Sequence, residues 1–161
     1  MYNPAGVELE SWSMSTYTQI YYHIVFSTKN RERVLAAKRR EDLFRYIWGI
    51  IQNHESHLYR IGGVEDHVHI LTSVHPTSSL ADLVKDIKVA SSRWIAEERA
   101  FPRFTHWQDG YAAFTASHGE KTRLIEYIKG QAEHHKRFSF HDELRKLLTE
   151  AGVEFDERYL I

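Results

Sequence analysis

The sequence predicts an α+β fold, a ferredoxin-like (split β-α-β) antiparallel sheet with helices on one face and an extra C-terminal helix. Strand-like and helix-like patterns follow one another in the order β-α-β-β-α-β and then α. The second and third strands are joined tightly, which predicts an antiparallel hairpin. Because no internal repeat or low-complexity linker interrupts this order, a single domain is expected at residues 16–161.

The first strand and the first helix are predicted from alternation and helical spacing, respectively. Residues 17–27, YTQIYYHIVFS, alternate in polarity, so that one strand face would carry Ile20, Tyr22, Ile24 and Phe26. Residues 37–54 have an apolar stripe at helical spacing, formed by Leu43, Ile47, Ile50 and Ile51.

The central hairpin is predicted from two short apolar runs. LYRIGGV (58–64) is a strand that ends at a glycine pair, and HVHILTSV (67–74) is the next strand, which ends before Pro76. The connection lies around Glu65-Asp66.

The second half repeats the helix-strand pattern. Ser78 or Ser79 can cap a helix that carries Leu80, Leu83, Val84, Ile87 and Trp94 at helical intervals, and Phe101-Pro102 closes it. YAAFTAS (111–117) is the fourth strand. A long last helix is expected from about Gly119 to Arg137, followed by a short one at about 140–150.

Composition excludes several classes of protein. With 42% hydrophobic and 27% charged residues, the chain of 161 residues has ordinary globular values. It has no apolar run of about 18 residues, so no membrane association is expected. The absence of cysteine excludes disulfides and thiolate metal sites, and it fits a cytoplasmic protein. Residues 1–15 lack the pattern of a secretory signal and are expected to form a flexible arm.

Charge permits a nucleic-acid partner without requiring one. The net charge is −1, yet basic residues cluster in KNRER (29–33) and KRR (38–40), and on one predicted helix at Lys85, Lys88 and Arg93. Solvated helix faces would give the same pattern.

The strand histidines His67 and His69 are a candidate metal site. Side chains two apart in a strand share a face, with Cβ atoms about 7 Å apart, which suits two ligands of one ion. Among 11 histidines such a pair also arises as surface or hydrogen-bonded imidazoles. In a histidine-triad hydrolase a third histidine would stand two residues after His69. This chain has Leu71 at that position, which argues against such an enzyme.

A second polar group lies on the predicted last helix. Tyr127 and Gln131 are four residues apart and share a face, and His134, seven from the tyrosine, falls near it. A phenol, an amide oxygen and an imidazole on one face could form a reactive site, whereas a tyrosine beside an apolar stripe is also ordinary packing. Gly130 lies within this helix at a cost of about 1 kcal/mol relative to alanine.

Taken together, six segments resemble the single-tyrosine HUH transposases (His, hydrophobic residue, His), the small transposases of bacterial and archaeal insertion sequences of the two-hundred type. The similar segments are YYHIVFSTKNRERVL (21–35), GGVEDHVHI (62–70), SSLADLVKDIKVASSRWI (78–95), WQDGYAAFTAS (107–117), YIKGQAEHH (127–135) and GVEFDERYL (152–160). They occur in order, and the resemblance as a whole extends over about residues 16–160.

The resemblance implies an activity and a set of site residues. His67 and His69 would bind Mg²⁺ or Mn²⁺, Tyr127 would be the nucleophile, Gln131 would complete the metal site, and His134 remains a possible ligand or neighbour of the ligands. The substrate would be single-stranded DNA with hairpins near the element ends. The enzyme would be a homodimer whose composite sites take the histidines from one subunit and the tyrosine from the other. Basic candidates for DNA contacts are Lys29, Arg31, Arg33, Lys85, Lys88 and Arg93.

Two other functions remain open from the sequence. A domesticated relative would process palindromes of its host genome with the same chemistry. A non-catalytic nucleic-acid-binding module would use the same ferredoxin-like sheet.

Overall fold

The computed structural model describes residues 16–160, so the arm expected at residues 1–15 lies outside the described part of the chain. The strands are Tyr21–Ser27 (β1), Leu58–Gly63 (β2), His67–Thr72 (β3) and Ala112–Ala116 (β4). The helices are Ala37–Asn53 (α1), Leu80–Glu98 (α2), Lys121–Lys129 (α3), Gln131–His134 (α4) and Phe140–Glu150 (α5).

The strands form an antiparallel sheet in the order β2-β3-β1-β4. In the central pair, Ile24 of β1 lies opposite Ile70 of β3, and Ser27 lies opposite His67. This arrangement and the β-α-β-β-α-β order confirm the predicted ferredoxin-like α+β fold.

One face of the sheet carries the main apolar core. Ile24 and Phe26 of β1 and Val68 and Ile70 of β3 are buried against α1 and α2. The helices contribute apolar side chains at helical spacing, including Leu43, Ile47, Ile51, Leu83, Val84 and Ile87. The alternating and helical patterns of the sequence therefore meet in one core.

The other face of the sheet is covered by the C-terminal helices. Ile128 of α3 packs with Tyr21 and Leu71. Phe140 and Leu144 of α5 pack on Val25. The histidines of β3 point to this second face, so they lie under protein and not on an open sheet surface.

Several predicted boundaries differ from the observed ones. β1 begins at Tyr21, and Tyr17 and Ile20 before it are exposed. The prediction of one long helix over residues 119–137 is wrong, because Gly130 (φ −84°, ψ 9°) separates α3 from α4. Glycine has a low helix propensity, which makes this the weakest position of the predicted helix.

The start of α2 is as predicted, whereas its end comes early. The Ser79 side chain accepts a hydrogen bond from the Asp82 amide and caps the helix. The helix ends at Glu98, before Phe101-Pro102, because Arg99 adopts a left-handed conformation (φ 49°). No helix within residues 16–160 is both long and apolar enough to cross a lipid bilayer.

Candidate active site

Strand β3 holds the two histidines of the HUH motif inside the protein. His67 and His69 are fully buried, on the face opposite to Val68 and Ile70, and their ring centroids are 5.0 Å apart. The alternation of a strand accounts for their shared direction. Because α3 and α5 cover this face, the two imidazoles line an enclosed site.

Each of these imidazoles has a partner at Nδ1. His67 Nδ1 lies 2.6 Å from Asp66 Oδ1 and donates to it, and His69 Nδ1 lies 2.9 Å from Nε2 of His23. When Nδ1 carries the proton, the lone pair of Nε2 faces the space under the helices. His23 was not predicted, although it lies on the same face of β1 as Tyr21 and Val25.

Helix α3 brings Tyr127 to the same space. Its phenol donates a hydrogen bond to Oε1 of Glu143. The ring centroid lies 5.9 Å from that of His69 and 6.3 Å from that of His23. The tyrosine and the histidines of one chain thus meet directly, which differs from the composite arrangement that the resemblance implies.

Gly62 allows α3 to approach β2 closely. A Cβ atom at Gly62 would lie 2.5 Å from the carbonyl oxygen of Ile128 and 2.9 Å from its side chain. Ile128 is buried and directly follows Tyr127. The glycine before the HUH strand therefore sets the distance between the tyrosine helix and the sheet.

Gln131 begins α4 and is buried beside the histidines. Its Oε1 lies 3.2 Å from His67 Nε2, and its Nε2 donates to Glu143 Oε1 at 3.0 Å. The amide oxygen thus points to the same space as the imidazoles, as expected of a residue that could help to hold an ion.

His134 and its neighbour His135 take different places. The His134 ring lies 5.6 Å from the Tyr127 ring and stacks on Phe138 at 5.1 Å. His135, which was not predicted, has its ring 4.5 Å from that of His67. The spacing that favoured His134 assumed a continuous helix, and the break at Gly130 changes which histidine turns inward.

Glu143 of α5 is the second residue that the sequence did not reveal. It is 3% exposed, and glutamate is almost never so buried unless it is paired. Its carboxylate contacts five polar side chains of the site: Tyr127, Gln131, His67, His69 and His135. A signal existed, since Glu143 borders the apolar stripe of Phe140 and Leu144 in a helix that otherwise exposes its charges.

The donor set fits a divalent cation. One ligand atom each from His67, His69, His135 and Glu143, here called the His–Glu cluster, all lie within 4.8 Å of one another. Within residues 16–160, three buried side-chain atoms have no hydrogen-bond partner, namely His69 Nε2, His135 Nε2 and Glu143 Oε2. His69 Nε2 is 3.0 Å from Glu143 Oε1 but is not aligned for a hydrogen bond. Unpaired buried polar atoms are costly, and a cation among them would satisfy all three.

Burial and neighbouring charges give the histidines of the site different pKa values. Burial lowers the pKa of His69 to about 4 and that of His23 to about 3, so both are neutral at neutral pH. Burial also opposes a charge on His67, but its hydrogen bond to Asp66 and its contact with the Glu143 carboxylate outweigh this effect and raise its pKa to about 9.

The pKa values of the Glu143 carboxyl and the Tyr127 phenol are shifted in opposite directions. Burial disfavours the ionised form of Glu143, yet its close contacts with the imidazoles of His135, His67 and His69 hold the pKa of this carboxyl well below its usual range. Burial, followed by the negative charge of Glu143, raises the pKa of Tyr127. The protein side chains alone therefore keep the phenol protonated, and an added positive charge would favour its ionisation.

Three of the predicted DNA-contact residues lie near the site. Lys29, Arg31 and Arg33 lie in the loop that leaves β1, where the Thr28 amide donates to the Asp66 carbonyl at 2.8 Å. Arg33 is exposed and pairs with Glu65 at 3.1 Å.

The other three lie on α2, across the sheet from the His–Glu cluster. Lys85 and Arg93 are exposed. The half-buried ammonium of Lys88 donates to the carbonyl oxygens of Gln108, at 2.8 Å, and of Gly110. Lys88 is therefore engaged in holding the segment before β4.

Comparison with known proteins gives a family. Residues 16–131 match the family model described as "Transposase IS200 like". The ISDra2 transposase TnpA of Deinococcus radiodurans is 27% identical over 120 residues, which cover 70% of this chain and 84% of that protein. The transposase for insertion sequence element IS200 of Salmonella typhimurium is 26% identical over 121 residues, which cover 71% and 78%.

Two solved structures share the fold. A crystal structure of a Deinococcus radiodurans protein named as a transposase superposes with a TM-score of 0.57 and 25% identity, over 73% of this chain and 95% of that one. The REP-associated tyrosine transposase bound to a REP hairpin superposes with a TM-score of 0.55 and 12% identity, over 76% and 74%. The second likeness concerns the fold alone.

Proposed function

The chain belongs to the IS200-like transposase family, and we propose that it cleaves and rejoins single-stranded DNA at hairpin-marked ends through a covalent bond to Tyr127. Membership of the family makes it an enzyme of DNA transposition. The observation that carries the finer proposal is a shared oxygen. Glu143 Oε1 accepts the hydrogen bond of the Tyr127 phenol and lies 3.0 Å from His69 Nε2, which supports a single site for the proposed nucleophile and the HUH pair.

In this proposal His67, His69 and Gln131 hold Mg²⁺ or Mn²⁺. All three are buried, and Nε2 of His67 and Oε1 of Gln131 lie 3.2 Å apart. The unpartnered atoms of the His–Glu cluster support a cation at this place. When bound, the ion would withdraw charge from the scissile phosphate and stabilise the departing 3′-oxygen.

The chemistry then rests on Tyr127 and Glu143. The phenolic oxygen forms the new bond to phosphorus and the 3′-oxygen of the strand leaves. Glu143 Oε1 accepts the hydrogen bond of the phenol and so orients its oxygen, and the phenolic proton passes to water. The products are a 5′-phosphotyrosine and a 3′-hydroxyl, which takes its proton from water. Because one phosphodiester is exchanged for another, a 3′-hydroxyl can reverse the step and rejoin the strand without ATP.

For the substrate we propose a DNA hairpin followed by single strand. The REP-associated relative, bound to a REP hairpin, supports this class of ligand. Lys29, Arg31 and Arg33 lie beside the site and would contact phosphates, and Lys85 and Arg93 would extend the contact surface on α2.

For the assembly, the family resemblance favours a homodimer with exchanged tyrosine helices. The contacts of Tyr127 with its own Glu143 and its own His69 favour cleavage within one chain. We propose the single-chain site as the cleaving unit of this protein, whether or not it dimerises.

The test of the function is a covalent adduct. The full chain is incubated with Mn²⁺ or Mg²⁺ and with hairpin-bearing single-stranded DNA from its own genomic flanks, labelled at the 3′ end in one sample and at the 5′ end in another. We expect a denaturation-resistant adduct that keeps the 3′ label and releases the 5′-labelled fragment. Tyr127→Phe should form no adduct while it still binds the hairpin, and Tyr111→Phe, at an exposed tyrosine of the chain, should behave as wild type.

Two results would contradict the proposal. Undiminished adduct from Tyr127→Phe would move the nucleophile to another tyrosine, and hairpin binding without any cleavage by the wild type would favour a binding module.

The assembly is tested by mixing Tyr127→Phe with His69→Ala protein. Restored cleavage would show exchange of helices between subunits, whereas a single-chain site predicts none.

A further inference from the structure

The segment after residue 131 lies beyond the family match and closes over the active site. Phe140 and Leu144 anchor α5 on Val25 of the sheet. The Phe140 ring also stacks on His67, with 4.2 Å between centroids and an angle of 19°. This anchoring brings Glu143 to the site, and both Glu143 and His135, which directly follows α4, lie in the part of the chain that the family match does not include.

Three imidazoles present the same nitrogen to the centre of the site. His67 donates from Nδ1 to Asp66, and His135 Nδ1 lies 2.8 Å from the Phe138 carbonyl oxygen, which can only accept. His69 Nδ1 is engaged with His23. Ligating histidines in proteins are usually held in this way, with one nitrogen bound outside the site and the other free for the ion.

Glu143 lies where the Nε2 atoms of these three histidines converge. Its Oε2 lies 3.5 Å from His67 Nε2, contacts His135 Nε2 and is without a hydrogen-bond partner among the described residues. Its Oε1 is occupied by the Tyr127 phenol and the Gln131 amide. The two carboxylate oxygens of Glu143 therefore have different surroundings and can have different roles.

We infer that Glu143 and His135 are further ligands of the metal ion, so that three imidazoles and a carboxylate join the Gln131 amide oxygen around it, and that this donor set selects a first-row transition ion such as Mn²⁺ over Mg²⁺. Imidazole nitrogen suits first-row transition ions, whereas Mg²⁺ prefers oxygen ligands and retained waters. Oε2 of Glu143 binds the ion, and Oε1 accepts the hydrogen bond of the nucleophile. This inference deepens the proposed function and rests on its metal site.

The experiment measures metal binding to the full chain without DNA. The electron paramagnetic resonance signal of free Mn²⁺ is followed during titration of wild type, Glu143→Gln and His135→Ala. The controls are Glu154→Gln, which removes the same charge from an exposed residue, and His141→Ala, which removes an imidazole of α5 outside the His–Glu cluster. Thermal unfolding of each protein is recorded with and without Mn²⁺.

We expect Glu143→Gln and His135→Ala to lower Mn²⁺ affinity by at least about 10-fold and to lose the Mn²⁺-dependent rise in Tm, while both controls match wild type. Without Mn²⁺, Glu143→Gln should remain folded, because glutamine keeps the shape of the side chain and its amide oxygen can still accept the hydrogen bond of the Tyr127 phenol. An excess of Mg²⁺ of about ten-fold should leave most Mn²⁺ bound.

Three results would overturn the inference. They are a wild type that binds no Mn²⁺, a folded Glu143→Gln or His135→Ala protein with wild-type Mn²⁺ affinity, and displacement of half of the Mn²⁺ by an equal concentration of Mg²⁺. Since no DNA is present, none of these results decides whether Tyr127 cleaves DNA strands. That proposal is tested separately by the covalent adduct.

Discussion

The two faces of the sheet bury residues of the same strand to the same extent for different reasons. On β3, Val68 and Ile70 are fully buried among apolar side chains of α1 and α2, and His67 and His69 are fully buried among polar groups of α3–α5. The first face gains free energy from burial. The second contains three unpartnered polar atoms within the described chain. Burial alone therefore does not distinguish core from site, whereas unsatisfied donors and acceptors do.

The largest expected effect is on the polar face. His69→Ala removes a ring nitrogen aimed at the centre of the site, so the rate of adduct formation should fall by at least about 100-fold. Circular dichroism should show an unchanged fold, because the apolar face is intact. Cleavage close to the wild-type rate in this variant would separate the HUH pair from the chemistry.

The next substitution affects the neighbouring residue on the other face. Ile70→Ala leaves a cavity in the main core and should lower the free energy of unfolding by about 2–5 kcal/mol in urea titrations. Adduct formation at a temperature where the variant is folded should persist. Val89→Ala, at an exposed side chain of α2, is the control and should change little. Loss of cleavage in fully folded Ile70→Ala protein would mean that the faces are not independent.

A smaller effect is expected where the tyrosine helix meets the sheet. Gly62→Ala places a methyl group against the Ile128 carbonyl and should cost about 1–3 kcal/mol of stability. Because α3 must move, adduct formation should fall more than hairpin binding. Gly49→Ala in α1, where a Cβ meets nothing within 4 Å, should be neutral or stabilising. Equal behaviour of the two alanine variants would remove the argument for close approach.

The smallest effect is expected at the rim of the site. Arg33→Gln removes one exposed charge beside the HUH strand, and the slope of log affinity for hairpin DNA against log salt should become shallower by about 1. Stability should hardly change, since exposed ion pairs such as that with Glu65 contribute little. Arg45→Gln, on the exposed side of α1, serves as the control. An unaltered salt dependence in Arg33→Gln would exclude a phosphate contact at this position.

Local patterns predicted the core face well. The stripe of α1 and the cap of α2 at Ser79 are as predicted because each depends on residues a few positions apart. The alternation in β1 and β3 also predicted that the histidines oppose Val68 and Ile70. The extra length given to β1 and the unbroken last helix were wrong, because exposure of residues 16–20 and the break at Gly130 depend on the tertiary fold.

The polar face was only partly predictable, because its residues come from distant parts of the chain. Tyr127 and Gln131 stood out through a family resemblance, and the structure places them beside His69 and His67, respectively. Glu143 is brought in by the packing of α5, and His135 turns inward after the break at Gly130; no local spacing encodes either of these. His23 needs the pairing of β1 with β3 before its place beside His69 can be seen.

The central claim is that Tyr127 and the buried histidines form one cleaving site, and mass spectrometry of the adduct tests it most directly. The covalent complex is denatured, trimmed with nuclease and digested with trypsin, which releases residues 124–129, LIEYIK, as one peptide. We expect a phosphonucleotide on this peptide, at Tyr127, and none after His69→Ala. A phosphonucleotide on a different tyrosine, or on Tyr127 at full yield in the His69→Ala protein, would contradict the account.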